Sequence, residues 1–172
     1  MSWLMGSALL AAVLGVTCGG GGSLPAQAVC VPATPTPASG PGQSGAGLGF
    51  RYFRTVQDGT NRLNRLLVDF RTAYPDRTFY RGSTFRPDFV KYADGANCTI
   101  VALNALIAPP NAPQRYRDLD ASLRATLKEY TEVLASGRDA VTQRNTSGYR
   151  DWWDATDELE ARIAAALTAA QN

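Results

Sequence analysis

Residues 113–143 read PQRYRDLDASLRATLKEYTEVLASGRDAVTQ, and their spacing decides the fold class. Tyr116, Leu119, Leu123, Leu127, Tyr130, Leu134 and Val141 recur at intervals of three, four and seven. That is the period of one face of a helix, with polar residues on the remaining surface. Gly137 is the lapse in the stripe.

Outward from this segment the same period returns three times. In residues 50–74 the apolar positions are Phe53, Val56, Leu63, Leu67, Phe70 and Tyr74, and Thr60 fills the missing seam position. Asp58-Gly59 is the expected weak point of that helix, and Pro75 stops it. Residues 76–84 read as a connector from which Phe79 and Tyr80 fold back onto the core. A second helix is expected from near Pro87, a favoured first-turn residue. Its stripe is Phe89, Tyr92 or Ala93, Ala96, Ile100, Leu103 and Ile107, ended by Pro109-Pro110. Beyond residue 143 a turn spans residues 145–148, with Thr146 or Ser147 as the expected N-cap. The fourth helix carries Tyr149, Trp152 or Trp153, Leu159, Ile163 and Leu167. No stretch alternates with period two. Four amphipathic segments with short connections predict an all-α, up-down four-helix bundle over residues 50–172.

Composition narrows the chemistry. The 172 residues carry a net charge of +2 and no histidine. The charge balance argues against nucleic acid as a partner. Without histidine the chain lacks the commonest general base and the commonest transition-metal ligand. No G-x-S-x-G turn, Glu-x-x-His pair, EF-hand spacing or CxxC pair occurs. The expectation is a protein that is not an enzyme and holds neither cofactor nor metal. Asp151, Asp154, Asp157, Glu158 and Glu160 read as an acidic face of the fourth helix.

Two surfaces are candidates for contact. Arg54, Arg62 and Arg65 share a side of the first helix, and Arg77, Arg81 and Arg86 continue through the connector, with Tyr80 and Phe85 between them. Such a patch suits anionic headgroups, an acidic polymer or an acidic partner; alternatively it is a solvent face paired with the acidic fourth helix. Trp152-Trp153 are adjacent, so about 100° separates them on a helix. One is expected in the core and the other at its boundary or on a contact surface.

The first fifth of the chain reads differently. No charged side chain precedes Arg51, and residues 1–17, MSWLMGSALLAAVLGVT, are apolar or small. That length matches a signal-peptide core and falls short of the roughly 20 residues that span a bilayer. Leu14, Gly15, Val16, Thr17 and Cys18 form a degenerate lipobox, and Gly19, Gly20, Gly21, Gly22 and Ser23 follow it. In these residues the chain resembles a bacterial lipoprotein precursor. The resemblance implies acylation of the Cys18 thiol, cleavage before it and attachment to a membrane through the lipid. Two alternatives stay open: cleavage after Ala26-Gln27-Ala28, releasing a soluble secreted or periplasmic protein, or retention of residues 1–17 as an anchor. Residues 18–49 are rich in Gly, Pro and Thr and read as a disordered tether.

The chain has three cysteines, Cys18, Cys30 and Cys98. If Cys18 carries lipid, Cys30 and Cys98 remain as an even pair able to form a disulfide in an oxidising compartment. The alternative is a buried Cys98 and a free thiol at Cys30.

These readings predict a membrane-tethered, extracytoplasmic bundle acting as a non-enzymatic interaction or scaffold module with a protein partner in the cell envelope. Two other classes are an accessory subunit of a membrane complex with a retained anchor, and a bundle that binds a small ligand. The last requires a pocket of several hundred Å³ with convergent polar groups.

Overall fold

The computed structural model describes Cys30, residues 44–78 and residues 80–172. Residues 1–17, Cys18 and Phe79 lie outside the described residues, as does the expected tether apart from Cys30 and residues 44–49. Four helices form the domain: α1 Gly45–Ala73, α2 Phe85–Asn104, α3 Gln114–Gln143 and α4 Thr146–Gln171. No strand occurs among the described residues.

Side-chain contacts fix the directions. Early in α1, Tyr52 donates to Asp120 early in α3, at 2.8 Å. Late in α1, Arg71 donates to the Trp153 carbonyl and the Thr156 hydroxyl early in α4. Phe85, which opens α2, meets Phe70 from the end of α1. Glu129 and Tyr130 of α3 meet Arg162 and Glu160 of α4. Successive helices are therefore antiparallel. Contact is most extensive between α3 and α4, followed by α1 on α2 and α2 on α3.

The seams close on one another as their spacing requires. Val56, Leu63, Leu67 and Phe70 are buried against Phe89, Ile100, Leu123, Leu127, Tyr149 and Leu159. Aromatic rings dominate one half of the core. Phe70 lies 5.2 Å from Tyr92 and 5.4 Å from Phe89, and Trp152 lies 4.9 Å from Phe89 and 5.2 Å from Tyr149. Thr60 sits in the α1 seam, as its place in the stripe predicts. Its hydroxyl donates to the Val56 carbonyl at 3.0 Å, so its burial leaves no polar group unmet.

Several boundaries differ from the spacing-based expectation. α1 starts at Gly45, five residues before the expected 50. Ser44 is its N-cap, with Oγ accepting from the Gly47 N–H at 3.3 Å. Glycines that read as tether are close-approach points. A Cβ on Gly45 would stand 2.1 Å from the Asn111 oxygen, and one on Gly49 would stand 2.5 Å from the Tyr116 ring. Asp58-Gly59 does not interrupt the helix; Gly59 is the notch that receives Leu103.

α2 begins at Phe85, two residues ahead of Pro87, and ends at Asn104. Ile107 therefore falls outside its stripe and is 75% exposed. The stop has a second cause besides the prolines. Arg124 of α3 donates to the Asn104 and Leu106 carbonyls, and Asp120 holds its guanidinium at 2.9 Å. At α4 the N-cap is Asn145 rather than Thr146 or Ser147: its Oδ1 accepts from the Gly148 N–H at 3.2 Å.

Cys30 and Cys98 stand at disulfide distance, their Cα atoms 5.1 Å apart and separated by 68 positions, inside the usual range for a bridge. Among the described residues no helix is long and apolar enough to cross a membrane.

Candidate functional site

One end of the bundle holds the connector between α1 and α2 beside the turn between α3 and α4. A cleft of about 540 Å³ opens between them, lined by Thr78, Tyr80, Arg81, Gly82, Ser83, Phe85, Arg86, Val141, Thr142, Arg144 and Thr146. Phe85 and Val141 are buried and form its apolar base. Tyr80 packs against Phe85 and Tyr74, 5.5 and 5.1 Å between centroids, and its hydroxyl accepts from the Asp76 N–H at 2.8 Å. The connector is held in place by that bond and by Tyr74, whose hydroxyl donates to Asp88 and accepts from the Thr84 hydroxyl.

The charges around the cleft are of one sign. Arg81, Arg86 and Arg144 line it, and no carboxylate does. None of the three side chains makes a hydrogen bond or ion pair among the described residues. Five other arginines of the bundle, Arg71, Arg77, Arg124, Arg138 and Arg162, hold carboxylates. Hydroxyls of Thr78, Ser83, Thr142 and Thr146 complete the lining.

The backbone adds to this polarity. α2 and α4 both begin at the cleft, and helix starts carry partial positive charge. α2 has no side-chain cap: Thr84 has helical backbone angles, and its hydroxyl bonds to Tyr74 instead. α3 ends there too, and two carbonyls of its last turn are occupied. Asn145 N–H bonds to the Ala140 oxygen at 2.8 Å, and Arg144 N–H bonds to the Val141 oxygen at 3.4 Å. This paired closure places its central residue in the left-handed region, where glycine is the usual occupant. Here that residue is Arg144, at φ 55° and ψ 36°. Holding a side-chain-bearing residue there costs about 1 kcal/mol.

A second polar group lies inside the bundle. Tyr130 donates to Glu160 at 3.1 Å, and the Tyr92 and Tyr130 hydroxyls are 3.5 Å apart. Burial raises the Glu160 carboxyl above its ordinary range, and the Tyr130 bond and the Arg71 charge only partly oppose this. Burial likewise raises Tyr92, Tyr130 and Tyr149. At the opposite pole, burial also disfavours the Asp120 anion, but bonds from Arg124 and Tyr52 outweigh it and lower its pKa. Both groups join helices to one another.

The residues expected to form a contact surface part company. Arg54, Arg62 and Arg65 are exposed on α1, as expected. Arg54 donates to Gln57 and Arg65 to the Asn61 carbonyl; none of the three pairs with an acid of α4 among the described residues. The pairs with α4 are made by Arg71 and Arg77, through Asp157 and Asp154. Trp152 and Trp153 are both in the core, 1% and 7% exposed, so neither offers a free face. Trp153 is covered by the Arg71 guanidinium, 4.2 Å above its ring, a cation–π contact. Among the described residues no three potential metal ligands converge.

The connector residues Tyr80, Arg81, Phe85 and Arg86, marked in the sequence as a basic run with aromatic interleaving, do reach one site. Arg144 was outside that reading. Its signal was a long cationic residue at the helix end, directly before the Asn145 turn, where glycine is usual. Comparison with known protein families, with characterised proteins and with solved structures gives no match.

Proposed function

We propose that the chain is a membrane-tethered, extracytoplasmic helical bundle that serves as a non-enzymatic interaction module. The observation that carries this reading is the partnering of Cys30 with Cys98. It accounts for two of the three cysteines and leaves Cys18 at the lipobox-like site. A disulfide belongs to an oxidising compartment, which agrees with export through residues 1–17. The absence of histidine from the sequence supports a binding role over hydrolytic chemistry.

Intact-mass measurement of the protein purified from membranes tests location. A mature chain beginning at Cys18 with a diacylglyceryl adduct and one disulfide supports the proposal. A cytosolic chain with Met1 and three free thiols refutes it, and an unprocessed membrane-bound chain favours an accessory subunit with a retained anchor. Pull-down from detergent-solubilised membranes tests the interaction role, which a monomer recovered without any partner would contradict.

A second reading, a small-ligand-binding bundle, is favoured by the cleft. Its volume lies in the range of ligand sites, about 300–1,000 Å³, and its polar groups converge over an apolar base. The two readings are compatible, since a tethered module can present a ligand site.

A further inference from the structure

We infer that the cleft between the α1–α2 connector and the α3–α4 turn is a binding site for a small phosphate-bearing molecule. This rests on the second reading above, that the cleft receives a ligand, and names the ligand's chemistry.

Three independent features point the same way. The first is charge: Arg81, Arg86 and Arg144 line one cleft with no acidic residue among them. All three are exposed; what sets the cleft apart is that three guanidinium groups converge on one cavity with no carboxylate in its lining. A ligand with a single carboxylate would leave most of that charge uncompensated, whereas a phosphate monoester or diphosphate brings two or more negative charges. The second is donor geometry. Guanidinium forks match phosphate oxygens in pairs, and the hydroxyls of Ser83 and Thr146, beside two helix starts, add donors for the remaining oxygens. The third is Arg144. Its left-handed backbone at φ 55° would be relieved by glycine. The side chain is nonetheless an arginine, without a partner of its own, at the rim of the cleft. Strain retained at such a position marks a residue kept for its side chain.

The test uses the full-length oxidised chain and its backbone amide NMR shifts. Probes are inorganic pyrophosphate, glucose 1-phosphate and neutral glucose, with vesicles of phosphatidylglycerol or of phosphatidylcholine alone as a separate arm. The expected result is saturable shifts at residues 80–86 and 141–148 with the phosphate probes and none with glucose. Arg144→Gly, which relieves strain and so keeps the fold, should weaken pyrophosphate binding at least tenfold, as should Arg81→Ala with Arg86→Ala. Binding to phosphatidylglycerol vesicles but not to the soluble esters would overturn the small-ligand assignment and point to an anionic membrane surface instead. Equal binding by Arg144→Gly would overturn the inference. Shifts at the same amides with glucose but not phosphate would overturn the phosphate assignment while the cleft remained a ligand site. No shift with any probe would remove both.

Discussion

Replacing Gly137 with alanine should destabilise the bundle, while the same change at Gly95 should stabilise it. Both glycines lie inside helices, where alanine is intrinsically better by about 1 kcal/mol. What differs is the neighbour. A Cβ on Gly137 would stand 2.4 Å from Trp152 Cδ1, 2.8 Å from its Cγ and 3.0 Å from Phe89 Cζ. Favourable carbon contacts lie near 3.5–4.0 Å, so the overlap exceeds roughly 1 Å. The indole cannot retreat, because Phe70, Phe89, Tyr92, Tyr149 and Trp153 surround it within 6.2 Å. Overpacking of this kind costs about 1–3 kcal/mol. With the rigid rings placing it at the upper end, the net loss after the helix gain is about 2 kcal/mol. At Gly95 the new methyl would meet only the two Leu66 methyl carbons, at 3.4 Å, so the gain of about 0.5–1 kcal/mol survives. Urea denaturation followed by far-UV circular dichroism reads both changes. The midpoint should fall for Gly137→Ala and rise for Gly95→Ala, with thermal midpoints about 8 °C lower and a few degrees higher. A Gly137→Ala variant at least as stable as the parent, with unchanged tryptophan emission, would refute the claim that the α3 notch is shaped to the indole.

Four further outcomes follow from the same contacts. Cys98→Ser opens the 68-residue loop and should lower stability by about 4 kcal/mol in the chain-entropy limit; denaturation of the parent with and without reductant should show the same gap, and an unchanged midpoint would deny the bond a stabilising role. Glu160 has its pKa raised in the folded state, so its contribution is fully present below the ordinary glutamate value and is lost as pH rises through the raised one. Glu160→Gln, which still accepts from Tyr130, should therefore be more stable than the parent at pH 7 and lose that advantage at pH 4. Asp120 has the opposite sign: lowered by Arg124 and Tyr52, it stabilises above the ordinary aspartate value and ceases to as pH falls. Asp120→Asn should thus weaken the fold at pH 7 and converge with the parent in acid; parallel pH profiles for either variant would contradict the assignment. Arg71→Lys keeps the charge but loses the fork that spans Trp153, Thr156 and Asp157, so it should destabilise nearly as much as Arg71→Ala, by about 1–3 kcal/mol. Full rescue by lysine in a denaturation experiment would show that charge alone suffices there.

The α3 stripe and its three counterparts made the helical fold legible, because a 3.6-residue period can bury its apolar face only against similar faces. Glycine was where the reading failed. Gly137 looked like a lapse in the α3 stripe, yet the side chain that fills it comes from Trp152 on another helix. Gly45 and Gly49 looked like tether because low side-chain volume also describes linkers, whereas here it admits Asn111 and Tyr116. Adjacent tryptophans were assigned one core position between them, but Arg71 covers the second ring from α1. A cation supplied by a helix remote in sequence leaves no trace in local periodicity. The cleft was half visible: Tyr80, Arg81, Phe85 and Arg86 lie close together in the chain. Arg144 and Thr146 reach the same place only because α3 and α4 turn there.

The Cys30–Cys98 bond also decides where a pulling force enters the molecule. With the bridge intact, tension applied anywhere upstream of residue 30 reaches the bundle at Cys98, on the flank of α2, and bypasses residues 31–43 and the first turn of α1. The load then shears one helix against its neighbours instead of unwinding another from its end. Reduction would reroute the same tension to Ser44, where α1 can be peeled away turn by turn, so the redox state of one bond decides which helix bears the load.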